Sequence, residues 1–376
     1  MIVYLTVGDT PSGVFNSQVV DVCAYLSELE QEPIKLVSFI SIRNYSENKR
    51  KIKELYSNSA VFPMVPKLKF WKWNSILLFF FLLFKKNVRI IGRNSIPAYL
   101  GIKMKRLKRA KYVILDGRGA EYEQYVEFDM LGDSKLCESL RQVEKFSVLN
   151  VDYRIAVTQN LVDYWKRAFD YKEEKHAIIP CTLNRLHEQV MPKNRSDYQL
   201  SNEDVVLVYS GSIAGWQSFE LMEEFFISQL KMNARCKLIL LCEKTEQVEK
   251  LMRDFPNQVQ NHWLAPEEVS PFLMMADYGI LIRSDSVTNK VAFPVKFAEY
   301  LRAGLKVVIT DNIGNLDLFV REHSCGILLN EINGGLFPID STTKEKNKQL
   351  ANDFLTKGSK RIEKEYKFIL NQLRQC

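Results

Sequence analysis

Residues 55–115 contain no aspartate or glutamate, although thirteen of them are lysine or arginine. Residues 1–111 carry 19 basic and 7 acidic side chains, a balance of +12; the whole chain is +7, so residues 112–376 sum to −5. A one-signed block of this size suits an anionic partner, either nucleic acid or an anionic membrane surface. Long apolar runs are missing as well. The run at 76–84 has nine residues, whereas a helix that crosses a membrane needs about 20, so this run does not span one. The seven cysteines form no CxxC pair, and none recurs at zinc-like spacing with the four histidines. That pattern excludes a disulfide scaffold, argues against a structural metal and fits a reducing compartment.

What is present is a globular composition. The chain has 376 residues, 46% hydrophobic and 26% charged, enough for two domains that each bury a core. Lys67, Lys69, Phe70, Trp71, Lys72 and Trp73 lead into the apolar run, and Lys85 and Lys86 follow it at once. Flanking tryptophan and lysine suit a segment lying at a membrane interface. An anionic membrane surface is therefore the expected partner, and nucleic acid is not. The competing reading is a buried helix with a solvated basic rim. The first residues, MIVYLTVGD, read as a strand and not as a secretory signal. A cytoplasmic protein, peripheral at the inner face of the membrane, fits both features.

Short apolar runs alternate with helical periodicity along the chain. Strands are expected at 2–7, 36–40, 60–65, 88–91, 112–115, 154–157 and 177–180, with helices between them, including 41–56, 74–84 and a very basic 95–108. Residues 187–204 are polar and weakly periodic and read as a linker. The rhythm then restarts, with strands at 205–209, 237–241, 259–263, 278–282, 307–309 and 326–329. These strands are continuous apolar runs, as parallel strands covered on both faces are. The expectation is two α/β domains in tandem, 1–190 and 191–355, with a C-terminal helix in 356–376 returning to the first. The cleft between two such domains is the default ligand site.

Residues 276–311, ADYGILIRSDSVTNKVAFPVKFAEYLRAGLKVVITD, are the most informative stretch. They read as strand, polar loop, helix and strand, with Arg283, Lys296 and Glu299 near the carboxyl ends of parallel strands. Open α/β sheets bind ligands at that edge. Lys296 and Glu299 are three apart, so they share a helix face and can meet one ligand or each other. Arg283 ends a buried strand, a poor place for an unpaired charge. Phosphate and an internal ion pair are both open to it. Gly211 and Ser212, after the first strand of the second domain, and Gly13, after the first strand of the chain, form loops that can approach a phosphate closely because glycine has no Cβ. Gly314 and Asn315 open a helix whose amides can meet a sugar or a distal phosphate.

The run Pro294-x-Lys296-x-x-Glu299-Tyr300-Leu301-x-Ala303-Gly304-Leu305-x-Val307-Val308, preceded by Ala276-Asp277-Tyr278, carries a family resemblance. Tyr209-Ser210-Gly211-Ser212 and the Ile179-Pro180 junction support it. Over nearly its whole length the chain resembles retaining glycosyltransferases of family 4. The resemblance implies the GT-B fold, two Rossmann-like domains facing each other across a cleft. It further implies a nucleotide-diphosphate sugar as donor substrate, with no other cofactor, and a glutamate matching Glu299 that holds the ribose. In the same way it implies an acceptor-side group in the loop Asp116-Gly117-Arg118-Gly119, where Asp116 would position or deprotonate the acceptor hydroxyl and Arg118 would orient a phosphate. The chain departs from the family pattern at three positions. Val291 stands eight residues before Glu299, where a first glutamate is usual, and Ser212 and Gln217 stand roughly where an arginine and a lysine are. Arg283 and Lys296 are then the candidates for the missing charge. No Asp-x-Asp pattern occurs at a strand end, so no obligate metal is expected.

The leading expectation is sugar transfer to a lipid-linked saccharide acceptor in bacterial capsule, exopolysaccharide or O-antigen synthesis, with Asp116, Arg118, Lys296 and Glu299 in the catalytic set. A nucleotide-sugar 2-epimerase of the same fold and a non-catalytic binding protein are the alternatives.

Overall fold

The computed structural model describes residues 1–66, 68–184, 190–213 and 215–374. Lys67 of the basic stretch, residues 187–189 of the expected linker with His187, Ala214 and the last two residues lie outside the described residues. The chain divides into two compact units: residues 1–184 with 360–376, and residues 185–359.

The first unit is built on seven strands: β1 (Ile2–Val7), β2 (Lys35–Ile40), β3 (Ser59–Pro63), β4 (Arg89–Arg93), β5 (Tyr112–Gly117), β6 (Tyr153–Ala156) and β7 (His176–Ile178). They pair in the order β3-β2-β1-β4-β5-β6-β7, all parallel. The second unit has β8 (Val205–Ser210), β9 (Cys236–Leu241), β10 (Val259–Asn261), β11 (Tyr278–Leu281), β12 (Lys306–Ile309) and β13 (Gly326–Leu328), in the parallel order β10-β9-β8-β11-β12-β13. Each sheet grows outward from its first strand in both directions. The connections therefore reverse between β1 and β4 and again between β8 and β11. Loops on either side of such a reversal splay apart and leave a crevice beyond the carboxyl ends of the strands.

Successive residues of a strand face opposite sides of the sheet, and β1 feeds a separate core on each. Ile2 and Tyr4 enter one, Val3 and Leu5 the other. The helix Lys360–Arg374 belongs to the first unit and closes the Tyr4 core with Ile362, Tyr366, Ile369, Leu370 and Leu373. That spacing is the apolar stripe of an amphipathic helix. Trp71, Leu78 and Leu82 close the other core.

The apolar run at 76–84 has two faces. In the helix Asn74–Leu82, Leu78 and Leu82 are fully buried, while Phe80 is 63% exposed and Phe84, just beyond the helix, 89% exposed. Phe70, Trp73, Ile76 and Leu77 are exposed beside them. Among the described residues no helix is long and apolar enough to cross a membrane.

Three local features differ from the sequence pattern. The charged helix expected at 41–56 begins only at Tyr45, because Asn44 takes a left-handed conformation with φ of +52°. The polar loop before Pro294 contains the short helix Val287–Val291, started by Ser286 Oγ, which accepts from Asn289 N at 3.1 Å. Five residues are too few to show a period. Part of the polar stretch read as a linker is tied down: Arg195 donates to Asp277 Oδ2 at 3.0 Å and to the Met275 carbonyl at 2.8 Å.

Candidate functional site

In the second unit the reversal of strand order falls between β8 and β11, and the residues singled out in the sequence converge there. The helix Val295–Arg302 lies tight against β11 because Gly279 has no side chain; a Cβ there would come 2.3 Å from the Tyr300 ring. The Tyr300 hydroxyl accepts from Ser210 N at 3.1 Å, which ties the end of β8 to the same helix. Lys296, one turn before Tyr300, is thereby laid across Gly211. A Cβ on Gly211 would fall 2.5 Å from Lys296 Cε and Nζ, and Gly211 itself has φ of +131°, which side chains rarely tolerate.

The Lys296 ammonium donates to the Tyr209 hydroxyl at 3.2 Å and to Gln217 Oε1 at 3.1 Å, and lies 4.3 Å from the centre of the Tyr209 ring. Arg283 follows β11 and is 8% exposed. It donates to the same Gln217 Oε1 at 3.2 Å and to Asn289 Oδ1, on the short helix Val287–Val291, at 3.3 Å. Its backbone is clamped by Thr310 at the end of β12, whose Oγ1 accepts from Arg283 N and donates to Arg283 O, both at 3.0 Å. Two cations thus meet on one neutral oxygen. Among the described residues, neither has a carboxylate within ion-pair distance; their partners are amide and phenol oxygens.

Burial shifts both groups, and for Lys296 the neighbouring like charge adds to it. Lys296 is lowered to about 7, by burial first and by Arg283 second. Arg283 is lowered to about 10 by burial and stays charged at neutral pH. Glu299 is raised, mainly by burial, against the opposing pull of Lys296 and Arg302. A half-buried carboxylate in that state gains from hydroxyl donors, and two cations without a counter-charge gain from an anion.

The other expected residues of this unit are placed less simply. Ser212 is exposed, and its carbonyl accepts from the Tyr209 hydroxyl. The amides of Gly211 and Gly314 are already engaged, by the Leu241 carbonyl at 3.0 Å and the Lys290 carbonyl at 3.1 Å. Gly314 therefore sits on the short helix that carries Asn289. Asn315 next to it begins the helix Leu316–His323 in a left-handed conformation, with its Oδ1 buried and unpaired.

In the first unit Asp116 and Arg118 form one buried group. Strand β5 continues through Gly117, so Asp116 is a paired strand residue, opposite Arg93 on β4 and Ile155 on β6, and only 1% exposed. Its Oδ2 accepts from the Tyr4 hydroxyl and, at 2.8 Å, from Arg118. Arg118 also donates to Gln18 Oε1 at 3.3 Å, and its backbone N donates to Asn94 Oδ1 at 3.2 Å. Asp116 Oδ1 and Arg118 Nε are buried without partners. Across the reversal between β1 and β4, Arg93 faces Asp9 at 3.5 Å. Gly13 begins a short turn capped by Ser12, and a Cβ there would meet nothing within 4 Å.

The structure brings Gly211, Arg283, Lys296 and Glu299 into one locality and Asp116 and Arg118 into another. Sequence reasoning missed Tyr209, Asn289 and Thr310 on the first and Tyr4 and Gln18 on the second. Tyr209 and Tyr4 look like ordinary strand residues in an apolar run, and only their hydroxyls show otherwise. Among the described residues no group of three His, Cys, Asp or Glu side chains is placed to hold a metal ion.

No protein-family model matches the sequence, and no curated protein does either. Solved structures match over the full length. A sucrose-phosphate synthase from Thermosynechococcus elongatus has 11% identity and a TM-score of 0.68, covering 100% of this chain and 98% of that one. HepE of Anabaena, in complex with UDP, has 12% identity and a TM-score of 0.68, covering 100% of both chains. A glycosyltransferase from Rickettsia africae has 12% identity and a TM-score of 0.67, covering 100% of this chain and 98% of that one. Likeness at this level of identity carries the architecture, and with it the conclusion that this chain has the GT-B fold, two Rossmann-like units each built on a parallel sheet.

Proposed function

We propose that the protein is a retaining glycosyltransferase of the family 4 type. In this reading it moves a sugar from a nucleotide-diphosphate donor to a lipid-linked saccharide in bacterial surface polysaccharide synthesis. The observation that carries the proposal is the pair of cations, buried Arg283 and half-buried Lys296, held at the strand-order reversal with only a neutral oxygen between them. A diphosphate supplies the charge they lack. Glu299, on the same helix face as Lys296, then accepts the ribose hydroxyls. A solved GT-B structure holding UDP supports a uridine nucleotide as the first probe.

In the reaction the bond from the sugar's anomeric carbon to the diphosphate oxygen breaks, and a bond to the acceptor oxygen forms on the same face of the sugar. The acceptor proton passes to the leaving phosphate oxygen. Arg283 and Lys296 stabilise the charge that develops on that oxygen, the contribution expected of preorganised cations in a site screened from water. Asp116 and Arg118 act on the acceptor side. Their mutual pairing holds the loop after β5 in shape, and Arg118 orients an acceptor phosphate. The exposed face of Trp73, Phe80 and Phe84, rimmed by Lys69, Lys72, Lys85 and Lys86, brings the protein to an anionic membrane where such an acceptor resides.

The test is a screen of nucleotide sugars read by nucleotide release, with and without bacterial lipid extract. Release that depends on the extract supports transfer. Conversion of the donor without extract identifies an epimerase, and no binding of UDP or GDP identifies a non-catalytic chain.

A further inference from the structure

Gln217 is the residue on which both cations depend, and it is neither a charge nor part of a rigid strand. It ends the single turn Gly215–Gln217 between β8 and the helix Phe219–Met232. The side chain is buried, and its Oε1 accepts from Lys296 at 3.1 Å and from Arg283 at 3.2 Å. A phosphoryl oxygen in contact with both cations must occupy much the same point. Gln217 and a donor diphosphate therefore compete for one place.

The backbone around Gln217 is strapped to a neighbouring loop, whereas its side-chain oxygen is held by the two cations themselves. Ser218, the next residue, has a left-handed backbone with φ of +54°. Its hydroxyl lies 3.0 Å from that of Ser284 and accepts from Ser284 N at 2.9 Å, which straps the turn to the residue after Arg283. On the far side, Gly215 is exposed and Trp216 is half-buried. Turning that one side chain away breaks its two contacts with the cations and leaves the strapped backbone in place.

We propose that Gln217 is a displaceable plug. In the free protein its amide oxygen stands in for a phosphate oxygen and keeps Arg283 and Lys296 solvated and in register. When the donor diphosphate arrives, the side chain rotates out and the phosphate takes both cations. The plug is tuned by being neutral: an amide oxygen carries a partial charge, enough to stop two neighbouring cations from repelling the site apart, and a phosphate binds them more strongly. This inference rests on the diphosphate site proposed above.

The experiment measures UDP and inorganic pyrophosphate binding by calorimetry, together with the thermal midpoint of the ligand-free protein, for wild type, Q217A and Q217E. With a plug, Q217A lowers the ligand-free midpoint yet binds UDP about 10-fold more tightly, since nothing has to be displaced. Q217E raises the ligand-free midpoint, because a carboxylate now pairs with both cations, and weakens UDP by 100-fold or more. If wild type binds UDP and Q217A weakens it, Gln217 is a direct ligand and the plug is overturned while the diphosphate site stands. If wild type binds neither UDP nor pyrophosphate, the diphosphate site fails and the plug with it. Should Q217A fail to fold, Q217E alone decides: undiminished UDP affinity with a carboxylate at that point overturns the proposal.

Discussion

If Arg283 and Lys296 hold the donor diphosphate as proposed, UDP binding is a proton-linked event, and the size of the linkage follows from the surroundings of Lys296. In the free protein, burial and the neighbouring Arg283 hold its ammonium at about 7, against 10.5 for an ordinary lysine. At pH 8 such a group is about one-tenth protonated. The negative charge of a bound diphosphate opposes the depression and returns the group toward its ordinary value, so binding at pH 8 takes up about 0.9 proton. The ligand contributes nothing to this, because the second ionisation of a phosphate lies near 6. UDP affinity then falls about tenfold, ~1.4 kcal/mol, for each pH unit above 7 until the pKa of the complex is reached. Calorimetry at pH 8 in buffers of different ionisation heat reads the proton count directly, and K296M abolishes it. The ligand-free protein carries the matching signature. A lysine depressed in the folded state binds fewer protons there than in the unfolded chain, so its stabilising contribution is present above about 10.5 and is lost as pH falls toward 7. Between pH 7 and 10 the thermal midpoint of wild type should therefore rise relative to that of K296M. UDP binding without proton uptake, and with affinity flat from pH 7 to 9, would refute both the depressed lysine and its place beside the phosphates.

Gly211→Ala drives a methyl into Lys296 and strains a positive φ; it should cost about 1–3 kcal/mol in denaturant unfolding and weaken UDP at least tenfold, and unaltered binding would count against the Lys296 geometry. Glu299→Ala should weaken UDP by about 10- to 100-fold, the worth of about 1.5–3 kcal/mol for hydrogen bonds to a charged group, and leave pyrophosphate untouched; an equal loss for both ligands would place Glu299 away from the ribose. Asp116→Ala strands the Arg118 guanidinium in a buried position. Loss of one partner of such a pair costs about 3–5 kcal/mol, and a change under about 1 kcal/mol in urea unfolding would show that the pair is not structural. Replacing Lys69, Lys72, Lys85 and Lys86 by glutamate should release the protein from anionic vesicles in a flotation assay, and F80S with F84S should weaken the binding that persists at high salt; undiminished flotation of both variants removes the membrane from the reading.

Some of the protein was legible from local pattern. Parallel strands covered on both faces must be continuous apolar runs, so the thirteen strands of the two sheets stand close to where those runs lie. Spacing alone put Lys296 and Glu299 on one helix face, and composition alone showed the basic, aromatic edge of residues 55–115. The short helix Val287–Val291 escaped because five residues cannot display a 3.6-residue period.

Partnerships between distant residues were decided only by the tertiary structure. Nothing in the sequence tells whether Lys296 pairs with Glu299, three residues away, or crosses to Tyr209 and Gln217 on another element; the close seating of its helix on Gly279 chooses the second. Likewise Asp116 reads as a loop carboxylate until β5 is seen to run through Gly117 and to bury it against Tyr4 and Arg118. Periodicity reports which side of an element is apolar, because that is a local matter of burial. The partner of a buried charge depends on which strands become neighbours and how closely a helix can approach them, and that information exists only once the sheet has formed.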